Sequence, residues 1–123
     1  MAGELILIVE DNDNNMKLLR DVLAYHGYRT LEAVTGEEGV ALAREQLPAL
    51  ILMDIQLPGI DGIEAFEQLA ADPATKDIPV IAVTASAMQE ERARIEAVGF
   101  AGYQPKPIQV DEFMAAVEEV LQP

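Results

Sequence analysis

Residues 50–62 read LILMDIQLPGIDG. Four apolar residues, Leu50 to Met53, run without a break into Asp54, and Pro58 and Gly59 then bend the chain away. A continuous apolar run bounded by turn residues marks a strand buried on both faces. A lone carboxylate at the end of such a strand is out of place in a core. It belongs at a rim, and what else reaches that rim decides its meaning.

Outward from this stretch, two signals alternate. Short aliphatic or β-branched runs occur at Leu5–Val9, Tyr28–Ala33, Val80–Thr84 and Ala101–Tyr103. Helical stripes lie between and after them: Leu19, Val22, Leu23 and His26; Ile63, Phe66, Leu69 and Ala70; Phe113, Met114, Val117, Val120 and Leu121. Two further helices, TGEEGVALAREQLP and SAMQEERARIEAVG, are rich in alanine and charge, and the second is expected to be mostly solvated. Gly27 and Gly99 stand where helix C-caps belong, and Asp13, Ser86 and Asp111 are candidate N-caps. Five strand–helix pairs in strict alternation predict an α/β fold, a doubly wound parallel sheet with helices on both faces. No linker, repeat or composition break divides residues 1–123, so one domain is expected.

The composition narrows the function classes. Half of the 123 residues are hydrophobic, enough for a core, and there is no Cys to form a disulfide or bind zinc as thiolate. Eight basic residues face 22 acidic ones, a formal charge of −14. That charge disfavours nucleic acid and anionic membranes as partners. The apolar runs are too short to span a bilayer, and MAGELILIVED lacks the basic flank of a signal peptide. A cytoplasmic protein working through protein contacts or a bound cation is expected.

In an open parallel sheet, ligands meet the carboxyl ends of the strands. The first strand ends in Glu10 and Asp11, the third in Asp54 and the fourth in Thr84; Lys106 follows the fifth. Three carboxylates on one rim repel unless a cation joins them, and a hard ion such as Mg²⁺ takes oxygen ligands of this kind. With a hydroxyl and an ammonium alongside, the set suits phosphoryl transfer, with Asp54 as nucleophile. Each residue alone has a plainer reading: acids at a helix start, an Asx turn before Pro-Gly, a strand threonine, a surface lysine. The coincidence on strand ends favours the shared site. His26 reads as a capping or packing residue, and the five methionines as core filler.

The segments ILIVEDNDNN, LILMDIQLPGIDG, IPVIAVTA and YQPKP fall in the order and spacing of response regulator receiver domains, which the whole chain resembles. The stretch VEDNDNNMKLLRDVLAYHGYRTLEA, residues 9–33, looks most like stand-alone cell-cycle receivers of the DivK type and the receivers of hybrid histidine kinases. The resemblance implies a flavodoxin-like (βα)5 sheet of order 2-1-3-4-5. It implies that Asp54 is the phospho-acceptor and that Thr84 and Lys106 assist catalysis. Glu10 and Asp11, with Asp54 and the Gln56 carbonyl, would hold Mg²⁺; Glu10 stands where many members have Asp, and its longer arm would reach the metal through water. Thr84 and Tyr103 would form the switch, moving the surface from about Ser86 to Leu121. Lys106–Pro107 matches the family's cis peptide, Asp61 and Gly62 open the next helix, and Gln56 and Ser86 would tune the life of the acyl phosphate. Pro105 has no role in the pattern. A histidine kinase or phosphotransfer protein would be the donor and a downstream protein the target, without turnover catalysis.

Three rivals remain. A flavodoxin needs amides and hydroxyls after its first strand, where EDNDNN offers carboxylates. A haloacid-dehalogenase-type phosphatase needs a second acid at the position of Gln56. A receiver-like binding module that works without phosphorylation stays open as the alternative.

Overall fold

The computed structural model describes residues 3–85 and 88–121. The elements alternate as β1 (Leu5–Val9), α1 (Asp13–Tyr25), β2 (Arg29–Ala33), α2 (Gly36–Gln46), β3 (Leu50–Asp54), α3 (Gly62–Ala71), β4 (Val80–Thr84), α4 (Gln89–Val98), β5 (Gly102–Pro105) and α5 (Val110–Leu121). All strand pairs are parallel, in the order β2-β1-β3-β4-β5. This is the doubly wound, flavodoxin-like sheet expected.

Side chains alternate across each strand, so one strand feeds two cores. Ile6, Ile8, Leu50, Leu52 and Ile81 pack against Leu19 and Leu23 of α1 and Phe113 and Val117 of α5. On the opposite face Leu7, Val9, Ile51, Met53 and Val80 meet Val40 and Ala43 of α2 and Ala65 and Leu69 of α3. Ala82 and Ile55 continue that face under Ile63 and Ile95, bringing in α4. Every residue of β3 and β4 is buried, as the unbroken apolar reading required. The α4 helix is the exception among the helices: Ile95 is its one buried residue.

Several expectations about element ends are corrected. The N-cap of α1 is Asn12, whose side chain accepts from the Asn15 N–H at 3.0 Å; Asp13 is already inside the first turn. Both residue types cap well, and the Met16 N–H on the Asn12 carbonyl at 2.9 Å fixes the choice. Asp111 likewise lies inside the first turn of α5, since the Phe113 N–H bonds the Gln109 carbonyl at 2.8 Å. Ser86 lies outside the described residues; Met88 stands at the N-cap of α4 with no side-chain cap bond. Gly99 caps α4 at φ +111°, whereas α1 ends on His26, with Gly27 following at φ +89°. The His26 Nδ1 lies 2.9 Å from the Val22 carbonyl, the capping role expected of it.

Met16, Met53 and Met114 fill the cores, but Met88 is 63% exposed because it sits at the start of a helix with little packed beneath it; Met1 lies outside the described residues. Tyr28 is buried yet precedes β2. The fifth strand starts one residue later than expected and runs on through Pro105, which pairs with Thr84. Pro can close this strand because β5 is at the sheet edge and no outer neighbour needs its N–H.

Candidate functional site

The carboxyl ends of β1, β3, β4 and β5 converge on one rim. Backbone bonds continue past the strands and hold them in register there: Glu10 N–H to the Ala33 carbonyl (3.0 Å), Ile55 to Val83 (3.0 Å) and Lys106 to Thr84 (2.8 Å). The side chains that follow these strands are therefore fixed relative to one another.

Glu10 and Asp54 are almost completely buried at 1% and 2% exposure, while Asp11 is exposed. One carboxylate oxygen from each of the three lies within 4.8 Å of the others. The Lys106 ammonium bridges two of them, 2.9 Å from Glu10 Oε1 and 3.0 Å from Asp54 Oδ2. Asp54 Oδ1 accepts the Gln56 N–H at 2.9 Å, so the Asx turn and the site carboxylate are one residue serving both ends. Glu10 Oε2 accepts the Asn12 N–H at 3.1 Å. Its Oε1 touches Lys106 as an ion pair but has no partner in hydrogen-bond geometry, and it is buried.

Burial pushes the Glu10 carboxyl up to about 7, and the neighbouring Asp54 adds to the rise; Lys106 and the Asn12 N–H oppose it. For Lys106, burial works against the charged form, but Glu10 and Asp54 outweigh it and hold the ammonium above its ordinary value. A carboxyl held near neutrality and a buried oxygen without a hydrogen bond are what crowded acids show when one more cation would satisfy them. Oxygens opposite each other on Mg²⁺ are about 4.2 Å apart, from a metal–oxygen distance near 2.1 Å. A set already within 4.8 Å fits such an ion with small adjustments.

Gly62, the first residue of α3, explains how β3 can end so close to a helix. A Cβ here would lie 2.3 Å from the Asp54 carbonyl oxygen and 2.7 Å from the Ile55 Cα. Its N–H bonds the Ile55 carbonyl at 2.9 Å, and Asp61 caps the helix through the Glu64 N–H at 2.8 Å. The helix thus starts against the backbone at the end of β3, and only glycine leaves room.

Thr84 is fully buried at the end of β4, one residue past the Val83 that pairs with Asp54. Its Oγ1 donates to Glu91 Oε1 of α4 at 3.0 Å. Tyr103, on β5, is half-buried, and the Arg92 guanidinium lies over its ring at 4.9 Å from the centroid. The peptide between Lys106 and Pro107 is cis. Glu91 and Arg92 were not marked by the sequence, where EERAR reads only as a charged helix. Glu91 comes seven positions after Thr84, a spacing that carries no signal across a strand-to-helix connection.

The sequence matches the family described as response regulator receiver domain over residues 6–118. It is 47% identical over 116 residues to the polar-differentiation response regulator DivK of Brucella ovis, and equally to that of Brucella melitensis, covering 94% of each chain. Among solved structures it resembles the receiver domain of a sensor histidine kinase from Pseudomonas aeruginosa, which has a magnesium ion coordinated in its active-site cleft. That likeness has a TM-score of 0.91 and 33% identity, and covers 99% of this chain and 100% of the other. A CheY-like receiver domain protein from Methanospirillum hungatei matches with a TM-score of 0.89 and 28% identity over 98% and 94% of the two chains. The chain therefore belongs to the response regulator receiver domain family, whose general function is a phosphorylation-dependent switch in two-component signalling. Its fold is the CheY-type sheet, and among curated relatives it is similar to DivK. Among the described residues, no helix is long and apolar enough to cross a membrane.

Proposed function

We propose that Asp54 is the phospho-acceptor and takes its phosphoryl group from a phosphohistidine on a histidine kinase or phosphotransfer protein. The observation that supports this reading most is the setting of its carboxylate. It is buried, pinned by the Gln56 N–H on one oxygen and Lys106 on the other, and within 4.8 Å of Glu10 and Asp11. Pinning both oxygens fixes the angle of attack before the donor arrives, which lowers the orientational part of the barrier.

A carboxylate oxygen of Asp54 forms the new P–O bond as the P–N bond to the donor imidazole breaks. The imidazole keeps the electron pair and takes a proton from water. Lys106 stays beside the acceptor and offsets negative charge on the phosphoryl oxygens. Glu10, Asp11, Asp54 and the Gln56 carbonyl would hold Mg²⁺, whose chemistry here is to neutralise that same charge. Thr84 donates its hydroxyl to a phosphoryl oxygen, and Tyr103 responds to the space it leaves. Gln56 and Ser86, the latter outside the described residues, govern how water reaches the acyl phosphate.

On this reading residues 1–123 form a single receiver domain that acts in the cytoplasm. It spends one phosphodonor per switching event rather than turning over a substrate, and its output is contact with a downstream protein. The test is incubation with acetyl phosphate and Mg²⁺, followed by intact-mass and peptide analysis. One phosphoryl group on Asp54 is expected, and none on Asp54→Asn. Uptake elsewhere at an equal rate would overturn the assignment; no uptake at all would favour a binding module that works without phosphorylation.

A further inference from the structure

The Thr84 hydroxyl has a single hydrogen, and in this structure it points to a carboxylate on another element. Thr84 Oγ1 donates to Glu91 Oε1 at 3.0 Å, a charge-assisted bond in a partly buried setting. A hydrogen given to Glu91 cannot also be given to a phosphoryl oxygen on Asp54. We propose that Glu91 is a built-in competitor for the Thr84 hydroxyl, a latch that holds the resting state and sets how strongly the phosphoryl group must pull to switch it. This rests on the reading of Asp54 as the phospho-acceptor.

The surroundings suit a latch. The next residue, Arg92, lies over the Tyr103 ring, so two successive residues of α4 grip both members of the switch pair. Arg92 is also braced from its own helix by Glu96 Oε1 at 3.3 Å. Among the described residues α4 has few apolar anchors: it buries Ile95 and packs Val98 partly, and Met88 makes no side-chain cap bond. Breaking the Thr84–Glu91 bond therefore frees the first turn of a weakly held helix and loosens the guanidinium on Tyr103 in the same step. Glu90, one residue earlier, carries the same charge in the same turn but is exposed.

The experiment uses the whole chain and beryllofluoride with Mg²⁺ as a reversible phosphoryl mimic. Binding is followed by the Thr84 methyl and Tyr103 ring resonances. If the latch competes, Glu91→Ala binds beryllofluoride about tenfold more tightly than wild type, the factor carried by a hydrogen bond to a charged group. Glu91→Gln, which keeps a neutral acceptor, falls between the two. Glu90→Ala controls for the lost charge and leaves the affinity unchanged. In a Thr84→Val background, Glu91→Ala has no further effect, because the shared hydrogen is gone.

An equal gain from Glu90→Ala, no gain from Glu91→Ala, or a persisting gain in Thr84→Val would each overturn the latch. If wild type binds no beryllofluoride at all, the reading of Asp54 fails. The latch is then judged without ligand, by amide hydrogen exchange: faster exchange in α4 of Glu91→Ala supports it, and unchanged protection overturns it.

Discussion

Replacing Asp54 by Asn should stabilise the metal-free protein, and the structure sets the size of the gain. At an effective dielectric near 20, Lys106 at 3.0 Å attracts the Asp54 carboxylate by roughly 5.5 kcal/mol. A carboxylate oxygen within 4.8 Å repels it by roughly 3.5 kcal/mol, which is the share of buried Glu10. Asp11 is exposed, and solvent reduces its share to about 1 kcal/mol. Attraction and repulsion nearly cancel, which leaves the cost of keeping a carboxylate at 2% exposure, and that cost is several kcal/mol before relaxation. Asn avoids it. Its oxygen can keep the Gln56 N–H, and its amide can donate to Glu10 Oε1, which has no hydrogen bond now. The net gain is about 1–2 kcal/mol, or about 4–8 °C in Tm for a domain of this size. It should be larger at pH 8 than at pH 6, because Glu10 takes up its proton at about 7 and stops repelling Asp54 below that. The assay is a set of thermal melts in EDTA at both pH values, repeated with Mg²⁺. At ten times its Kd, Mg²⁺ should raise wild-type stability by about 1.4 kcal/mol and Asp54→Asn by less. An Asp54→Asn variant that melts at or below wild type at pH 8 in EDTA, or a wild type indifferent to Mg²⁺, would refute the reasoning.

Three further outcomes are expected. Gly62→Ala should cost about 2–3 kcal/mol in urea unfolding and slow phosphorylation by acetyl phosphate, because its Cβ must displace the backbone of Asp54 and Ile55; wild-type stability would mean that α3 shifts freely. Glu10 holds a proton in the folded state up to about pH 7 but only to about 4.5 when unfolded, so metal-free stability should fall by up to about 3 kcal/mol as pH rises across that window. Glu10→Gln should flatten that slope in urea titrations with EDTA. Thr84→Ala should still take up phosphate on Asp54, while its Tyr103 ring resonances fail to shift on phosphorylation; a wild-type shift would uncouple the two residues.

Much of the rim was legible in the chain because a parallel sheet places all strand ends on one side. Once the apolar runs at Leu5–Val9, Leu50–Met53 and Val80–Thr84 are read as strands, the positions of Glu10, Asp54 and Thr84 follow without any knowledge of packing. Properties set by a neighbour one residue away were less legible. Asn12 and Asp13 cap helices equally well by type, and only the hydrogen bond from Met16 chooses between them. Pro105 had no role until β5 proved to be an edge strand that can end in proline. Gly62 looks in sequence like an ordinary turn glycine, whereas the reason for it is the 2.3 Å to the Asp54 carbonyl. Glu91 was hidden because its contact depends on the path of the chain between β4 and α4, which no local periodicity encodes.

Fixed backbone and a lightly buried helix have different chemistry here, and the difference decides where a signal can go. Glu10, Ile55 and Lys106 are each tied by a backbone bond to the neighbouring strand, and β3 and β4 are buried throughout. A charge added at Asp54 cannot be relieved by moving these strands without exposing both cores, whose apolar burial is worth about 25 cal/mol per Å². The helices differ in how firmly they are held. Phe113, Met114 and Val117 anchor α5, and Gly62, Ile63, Ala65 and Leu69 anchor α3. For α4 the apolar anchors among the described residues are buried Ile95 and half-buried Val98, and Glu91 and Arg92 add contacts to Thr84 and Tyr103. The last two are polar contacts to the residues that a phosphoryl group would recruit. On the proposed reading, the helix with the least apolar burial is the one tied to the site by bonds that a phosphoryl group would compete for, so α4 would rearrange while the sheet and its two cores stay in place.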